Sequence, residues 1–220
     1  MIKELHVLKN NLLSSNIKGI ALDIDETLSA TLPYWFKLMQ ENFGNPENLT
    51  VKEMIKKYRY YKYVPYWQSP EAWQLATQLR DSNESQLDLE VLKEADKYVQ
   101  RLIEIIPVVV YITARPDAVI PSTIEWLRKN NFPNAPVIAK PKYIQTDQAN
   151  IWKAEVLEFL HPQVIGIIDD NPEILNFIDK GYQGHLYLYD NNPKEIQNEK
   201  DRVYICPDWE SVIDQVKKQF

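Results

Sequence analysis

Glycine is scarce in this chain. There are five among 220 residues, at positions 19, 44, 166, 181 and 184, and they never cluster. A phosphate loop or a dinucleotide fingerprint needs several glycines within a few residues. P-loop and Rossmann dehydrogenase chemistry are therefore excluded. Cysteine is scarcer still. Cys206 stands alone, so there is no internal disulfide and no Cys-rich zinc site. No stretch approaches the roughly 18–20 apolar residues of a membrane span. Residues 1–16 are amphipathic and hold no secretory-type apolar run, so the cytoplasm is the expected location. An excess of positive charge is missing too. The formal net charge is −6, which disfavours general coating of nucleic acid.

What is present is ordinary globular composition, 45% hydrophobic and 25% charged, on a chain long enough to bury a core. Short apolar runs recur: IKGIALDI at 17–24, VVVYI at 108–112, residues 136–139, VIGII at 164–168, and two further runs at 185–189 and 203–205. Helical spacing fills the intervals 87–106, 117–130 (Ile120, Ile124 and Leu127 inward), 150–160 (capped by Asn150), 172–180 and the stretch after Asp208. Apolar strands alternating with helices predict an α/β fold: a Rossmann-like parallel sheet with helices on both faces. Residues 33–86 break that rhythm. They are rich in Tyr, Trp, Lys and Gln and read as a small helical insertion over one end of the sheet. The organisation expected is thus a core of residues 1–32 and 87–220 with an insertion at 33–86. Residues 190–202 read as a polar loop.

Ligands of open α/β sheets bind beyond the carboxyl ends of the strands. Three of these strands run into polar residues: Asp23 and Asp25; Thr113, Ala114 and Arg115; Asp169 and Asp170. Four carboxylates converging on one edge repel one another, and desolvation raises the cost of ionising them. A bound cation removes that difficulty, and hard oxygen ligands select Mg²⁺ or a similar ion. Asp23 and Asp25 are two apart, so an extended segment points both the same way. That suits a nucleophile beside an acid/base.

These segments resemble a family. IALDIDETL is similar to the first motif of the haloacid dehalogenase-like superfamily of phosphatases, and VVVYITAR to its second. Lys153 in NIWKAEVLEFL is similar to the third-motif lysine, and VIGIIDDNPEI to the acidic fourth motif. All four occur in the family's order, and 33–86 falls where the family inserts a helical cap. Glu26 departs from the glycine of many members, although a DxDET version exists among family phosphatases.

The resemblance implies a mechanism. Asp23 attacks phosphorus to form an aspartyl-phosphate, and Asp25 protonates the leaving oxygen and then deprotonates water. Mg²⁺ is held by Asp23, the carbonyl of Asp25 and Asp170 or Asp169, with Asp170 preferred for direct contact. Thr113 donates to a phosphate oxygen, in a phosphate site shared with Ala114, and Lys153 neutralises charge. Lys140 and Lys142 are rival lysines. Arg115 either reaches the substrate or forms a local salt bridge. Asp25 argues against a dehalogenase, which needs no proton donor; a phosphomutase or a non-catalytic phosphate-binding protein stays open.

The implied substrate is a small phosphate ester, since a lid excludes folded proteins. Seven of the 25 aromatics lie between Tyr58 and Trp73, interleaved with Arg59 and Lys62. Aromatic faces stack on bases, which makes a nucleotide monophosphate attractive. The same aromatics also suit the packing of the insertion's own core.

Overall fold

The structure is a computed structural model that describes residues 3–191 and 201–220. Six strands form one sheet: β1 (Gly19–Leu22), β2 (Val108–Pro116), β3 (Val137–Lys140), β4 (Val164–Asp169), β5 (His185–Tyr189) and β6 (Val203–Cys206). Their order is β3-β2-β1-β4-β5-β6, and every neighbouring pair is parallel. The strands are mostly apolar because both faces of the sheet are covered, and β2, β3 and β4 turn polar at their carboxyl ends. Ile20, Leu22, Tyr111, Ile168 and Tyr187 point to one face. Helices α6 (Ala95–Ile103), α7 (Ile120–Lys129) and α9 (Trp209–Gln219) cover it through Val99, Leu102, Trp126, Val212 and Val216. Ala21, Val110, Ile112, Ile167 and Leu186 point to the other. There α1 (Lys3–Ser14) and α8 (Ala149–Leu160) supply Leu5, Leu8, Leu12, Trp152 and Leu157.

Two of the few glycines lie inside this sheet for a steric reason. A Cβ on Gly19 would collide with the carbonyl oxygen of Pro107, and one on Gly166 with that of His185.

Between β1 and β2 the chain forms α2 (Thr31–Phe43), α3 (Val51–Tyr58), α4 (Pro70–Asp81) and α5 (Asn83–Leu87), with no strand among them. Local signals start these helices. Thr50 and Glu53 make a capping box on α3, and Ser69 caps α4 ahead of Pro70. Phe36, Met39, Met54, Val64, Trp67, Ala72 and Ala76 form a third apolar cluster, apart from the two sheet faces.

Four expectations are corrected. The interval 87–106 is helical only from Ala95. Before it, Val91 bridges to Ser29, and the carbonyl of Leu89 accepts from Trp126 Nε1 at 2.8 Å, so the chain is drawn under α7 instead of coiling. Ile124 is 48% exposed; Thr123, Trp126 and Leu127 take the inward face. Asn150 lies within α8 and its amide donates to Glu173 at 3.0 Å, so it caps nothing. Residues 172–180 make only a short 3-10 turn, Pro172–Asn176. Most of the polar loop expected at 190–202 lies outside the described residues. No helix of the described chain is long and apolar enough to cross a membrane.

Candidate active site

Parallel pairing brings the carboxyl ends of β2, β1 and β4 side by side. Every polar residue singled out at these strand ends therefore arrives on one edge. The edge divides into two ion-pair clusters.

The first is buried. Lys153, from the first turns of α8, donates to Asp23 Oδ1 at 2.9 Å and to Asp169 Oδ2 at 2.6 Å. Asp169 Oδ1 also accepts the Asn171 backbone N–H at 2.9 Å. All three charged side chains are almost wholly inaccessible: 4% for Lys153, 6% for Asp23 and 1% for Asp169. Burial acts to lower the Lys153 pKa, but Asp169 and Asp23 outweigh it and hold the ammonium well above its usual value. Burial also pushes Asp23 up, to about 7; Lys153 opposes this, while Asp169 and Asp25 reinforce it.

Asp170 completes the group differently. Its side chain has no hydrogen-bond partner among the described residues. Burial, with Asp169 and Asp23 beside it, raises its pKa well above the ordinary carboxylate value. One oxygen each of Asp23, Asp169 and Asp170 lies within 4.8 Å of the others. This set fits a hard cation: the oxygens are clustered, one carboxylate is unpartnered among the described residues, and two have pKa values raised by burial and then by crowding, which a divalent ion offsets.

The second cluster belongs to Asp25. Arg115, 4% accessible, grips that carboxylate with Nε at 3.1 Å from both oxygens and Nη2 at 2.7 Å from Oδ1. Thr31 Oγ1 donates to Oδ1 at 2.5 Å and Ser29 Oγ at 3.3 Å. Arg115 is itself held by Ser29 Oγ at 3.0 Å and Thr123 Oγ1 at 3.2 Å. Burial presses Asp25 upward, yet the guanidinium and these hydroxyls hold it below its usual value. Of the two roles left open for Arg115, the structure shows the local ion pair.

The remaining expected residues divide. Thr113 is fully buried; its Oγ1 accepts the Arg115 N–H at 3.2 Å, which leaves its proton with no acceptor among the described residues. Ala114 is exposed at the rim. Of the rival lysines, Lys140 Nζ donates to the carbonyl of Ile144 at 2.6 Å and Lys142 is exposed. Lys153 alone joins the carboxylates.

Sequence reading missed Ser29, Thr31 and Thr123. The first two sit in the loop after β1, and hydroxyls close behind an Asp are a usable signal. Thr123 is contributed by α7, and nothing local announces it. Glu26, where many family members carry glycine, is also held in place. Its Oε1 accepts the Leu32 N–H at 2.6 Å, and burial raises it to about 7 against that bond.

Comparison with solved structures places this architecture. An L-2-haloacid dehalogenase superposes with a TM-score of 0.51 at 14% identity, over 92% of this chain and 99% of that one. The chain has the haloacid dehalogenase-like fold. A protein assigned as a beta-phosphoglucomutase, from Thermotoga maritima, gives 0.51 at 15% identity over 93% and 100%. A phosphoserine phosphatase from T. onnurineus gives 0.47 at 18% identity over 91% and 95%. A family model for the PITM 1-3, LNS2 domain matches residues 76–168, under half of the chain. No curated protein matches it in sequence. The Lys153 cluster and the Asp25 cluster both lie at the carboxyl edge of this sheet.

Proposed function

We propose that this protein is a Mg²⁺-dependent phosphomonoesterase that cleaves small phosphorylated metabolites through an aspartyl-phosphate. The observation that carries this reading is Lys153 bridging Asp23 and Asp169 beside the unpartnered Asp170. Asp23, Asp170 and the carbonyl of Asp25 are the groups that would hold Mg²⁺, with Asp169 behind them. When bound, the ion supplies positive charge that draws Asp23 into its ionised form and offsets charge on the phosphoryl oxygens.

The chain's own residues then have distinct tasks. Asp23 is the nucleophile; once ionised it needs no further base. Lys153 fixes the orientation of its carboxylate and offsets charge on the phosphoryl group. Thr113 has a free proton for a phosphoryl oxygen, and the backbone at Ala114 borders the same place. Asp25 is held as a carboxylate by Arg115, which suits it to take a proton from the water that hydrolyses the intermediate. The low pKa of Asp25 makes it a scarcer acid for the first step, so esters with good leaving groups should turn over fastest.

Residues 33–86 are proposed to act as a cap. Their separate apolar cluster supports this. Most aromatics of the Tyr58–Trp73 stretch are engaged inside that cluster. Trp67 is 1% exposed and packs against Phe36, and Tyr61 meets Trp35 and Trp73. Tyr60 is the one whose surroundings include core carboxylates, so base stacking by a nucleotide monophosphate would rest on it. The cytoplasm is the proposed location.

The test is hydrolysis of p-nitrophenyl phosphate. Activity should require Mg²⁺, vanish with a chelator and vanish in Asp23→Asn. Robust turnover by that variant would overturn the proposal.

A further inference from the structure

The inserted segment approaches the site at Arg59 and Tyr60. Helix α3 ends at Tyr58, and Arg59 follows with φ of 58°, in the left-handed region that disfavours a residue with a Cβ. Two other cations of the segment are neutralised within it: Lys57 pairs with Glu47 at 2.5 Å and Arg80 with Asp81 at 2.6 Å. Arg59 has no ion pair among the described residues. Its Nε donates to the Tyr60 hydroxyl at 3.3 Å, and the guanidinium lies 5.6 Å from the Tyr60 ring centre. The two terminal amino groups have no hydrogen-bond partner among the described residues. What Arg59 faces is the core. It lies within electrostatic reach of Asp170, Glu173 and Asp190, and Tyr60 within reach of the first two.

Position decides which part of a substrate this guanidinium meets. In-line attack by Asp23 comes from the sheet edge, so the departing oxygen and the rest of the ester lie on the far side, toward the insertion. The phosphoryl side already has a buried cation in Lys153 and a carboxylate set fitted to a metal. Arg59 is exposed, within electrostatic reach of Asp170, and its two terminal amino groups are free among the described residues. That fork matches a carboxylate or phosphate better than a hydroxyl or a neutral ring.

We propose that Arg59, steadied by Tyr60, is the specificity determinant of this site and selects phosphate monoesters that carry a second anionic group on the leaving portion. The inference rests on the phosphomonoesterase reading and deepens it.

The experiment compares kcat/KM of wild type, Arg59→Ala and Arg59→Lys on three esters: p-nitrophenyl phosphate, 2-phosphoglycolate, and a sugar bisphosphate. The wild type should prefer at least one doubly anionic ester, and which one separates a carboxylate from a second phosphate. Arg59→Ala should lose about 10- to 100-fold on the preferred ester and less than about threefold on p-nitrophenyl phosphate. Arg59→Lys, a charge without the fork, should fall between. Equal losses on both esters would show that Arg59 serves the phosphoryl group and would overturn the inference. So would a wild type that hydrolyses p-nitrophenyl phosphate with no preference for either doubly anionic ester. Failure of the phosphomonoesterase reading looks different: no Mg²⁺-dependent turnover of any of the three.

Discussion

Asp23 and Asp25 are two residues apart in the chain and lie on the same edge, yet their surroundings drive them in opposite directions. Asp23 shares a single buried ammonium with Asp169 and has Asp25 and Asp170 close by, so burial and crowding lift it to about 7. Asp25 has a guanidinium and two hydroxyls to itself and stays below its usual value. The contrast is one of cation supply. One side of the edge is a cation short and fits a metal; the other is fully paired and needs none.

Removing Lys153 should have the largest effect. Lys153→Met leaves Asp23 and Asp169 without their shared cation, and kcat for p-nitrophenyl phosphate should fall about 10²–10³-fold at saturating Mg²⁺. A fall of less than tenfold would mean that Lys153 is only structural.

The paired side should reveal itself in stability. Arg115→Met leaves Asp25 unpaired, and unfolding by urea at pH 7 should show a loss of about 3 kcal/mol or less, since Asp25 is itself 30% accessible. The sign of its pH dependence follows from the direction of the shift. A carboxyl lowered in the folded state stabilises above its unfolded pKa, and that contribution is lost as pH falls through the acid range. The gap between wild type and Arg115→Met should therefore narrow toward pH 3. A gap that widens there would contradict the pairing.

The unpaired side should show the reverse slope. A carboxyl raised to about 7 favours the folded state while protonated, so its contribution to the metal-free protein weakens between about pH 4 and pH 7. Mg²⁺ must displace those protons. Its stabilisation of the thermal midpoint should be larger at pH 8 than at pH 6, by several degrees. Equal stabilisation at both values would mean that Asp23 and Asp170 are not ligands. The smallest effect belongs to Lys142, which is exposed and has no side-chain hydrogen bond or ion pair to either cluster among the described residues. Lys142→Ala should leave kcat within about twofold.

The fold was legible wherever a chain segment reports its own surroundings. Strands covered on both faces read as VVVYI and VIGII, and the order of motifs along them brings Asp23, Lys153, Asp169 and Asp170 to one edge. Legibility ended where distant segments override a local pattern. The helical period of 87–106 is real, but Val91 is recruited to Ser29 and Leu89 to Trp126, pairings across many residues that periodicity cannot register. The same limit applies to the site. Which basic residue pairs with which aspartate depends on the bulged end of β2, where the register against β3 shifts between Thr113 and Pro116, and on Thr123 from α7. The aromatic surplus in residues 58–73 was visible, but the division between packing residues and Tyr60 was set by the third cluster.

The most direct measurement is the mass of the Asp25→Asn protein, quenched in acid after mixing with p-nitrophenyl phosphate and Mg²⁺. That leaving group departs without an acid, while hydrolysis of the intermediate lacks its base. One phosphoryl group should accumulate on the peptide that contains Asp23, and none should appear in the double variant with Asp23→Asn. An active Asp25→Asn enzyme with no phosphoryl adduct, or an adduct on any other residue, would contradict Asp23 as the nucleophile.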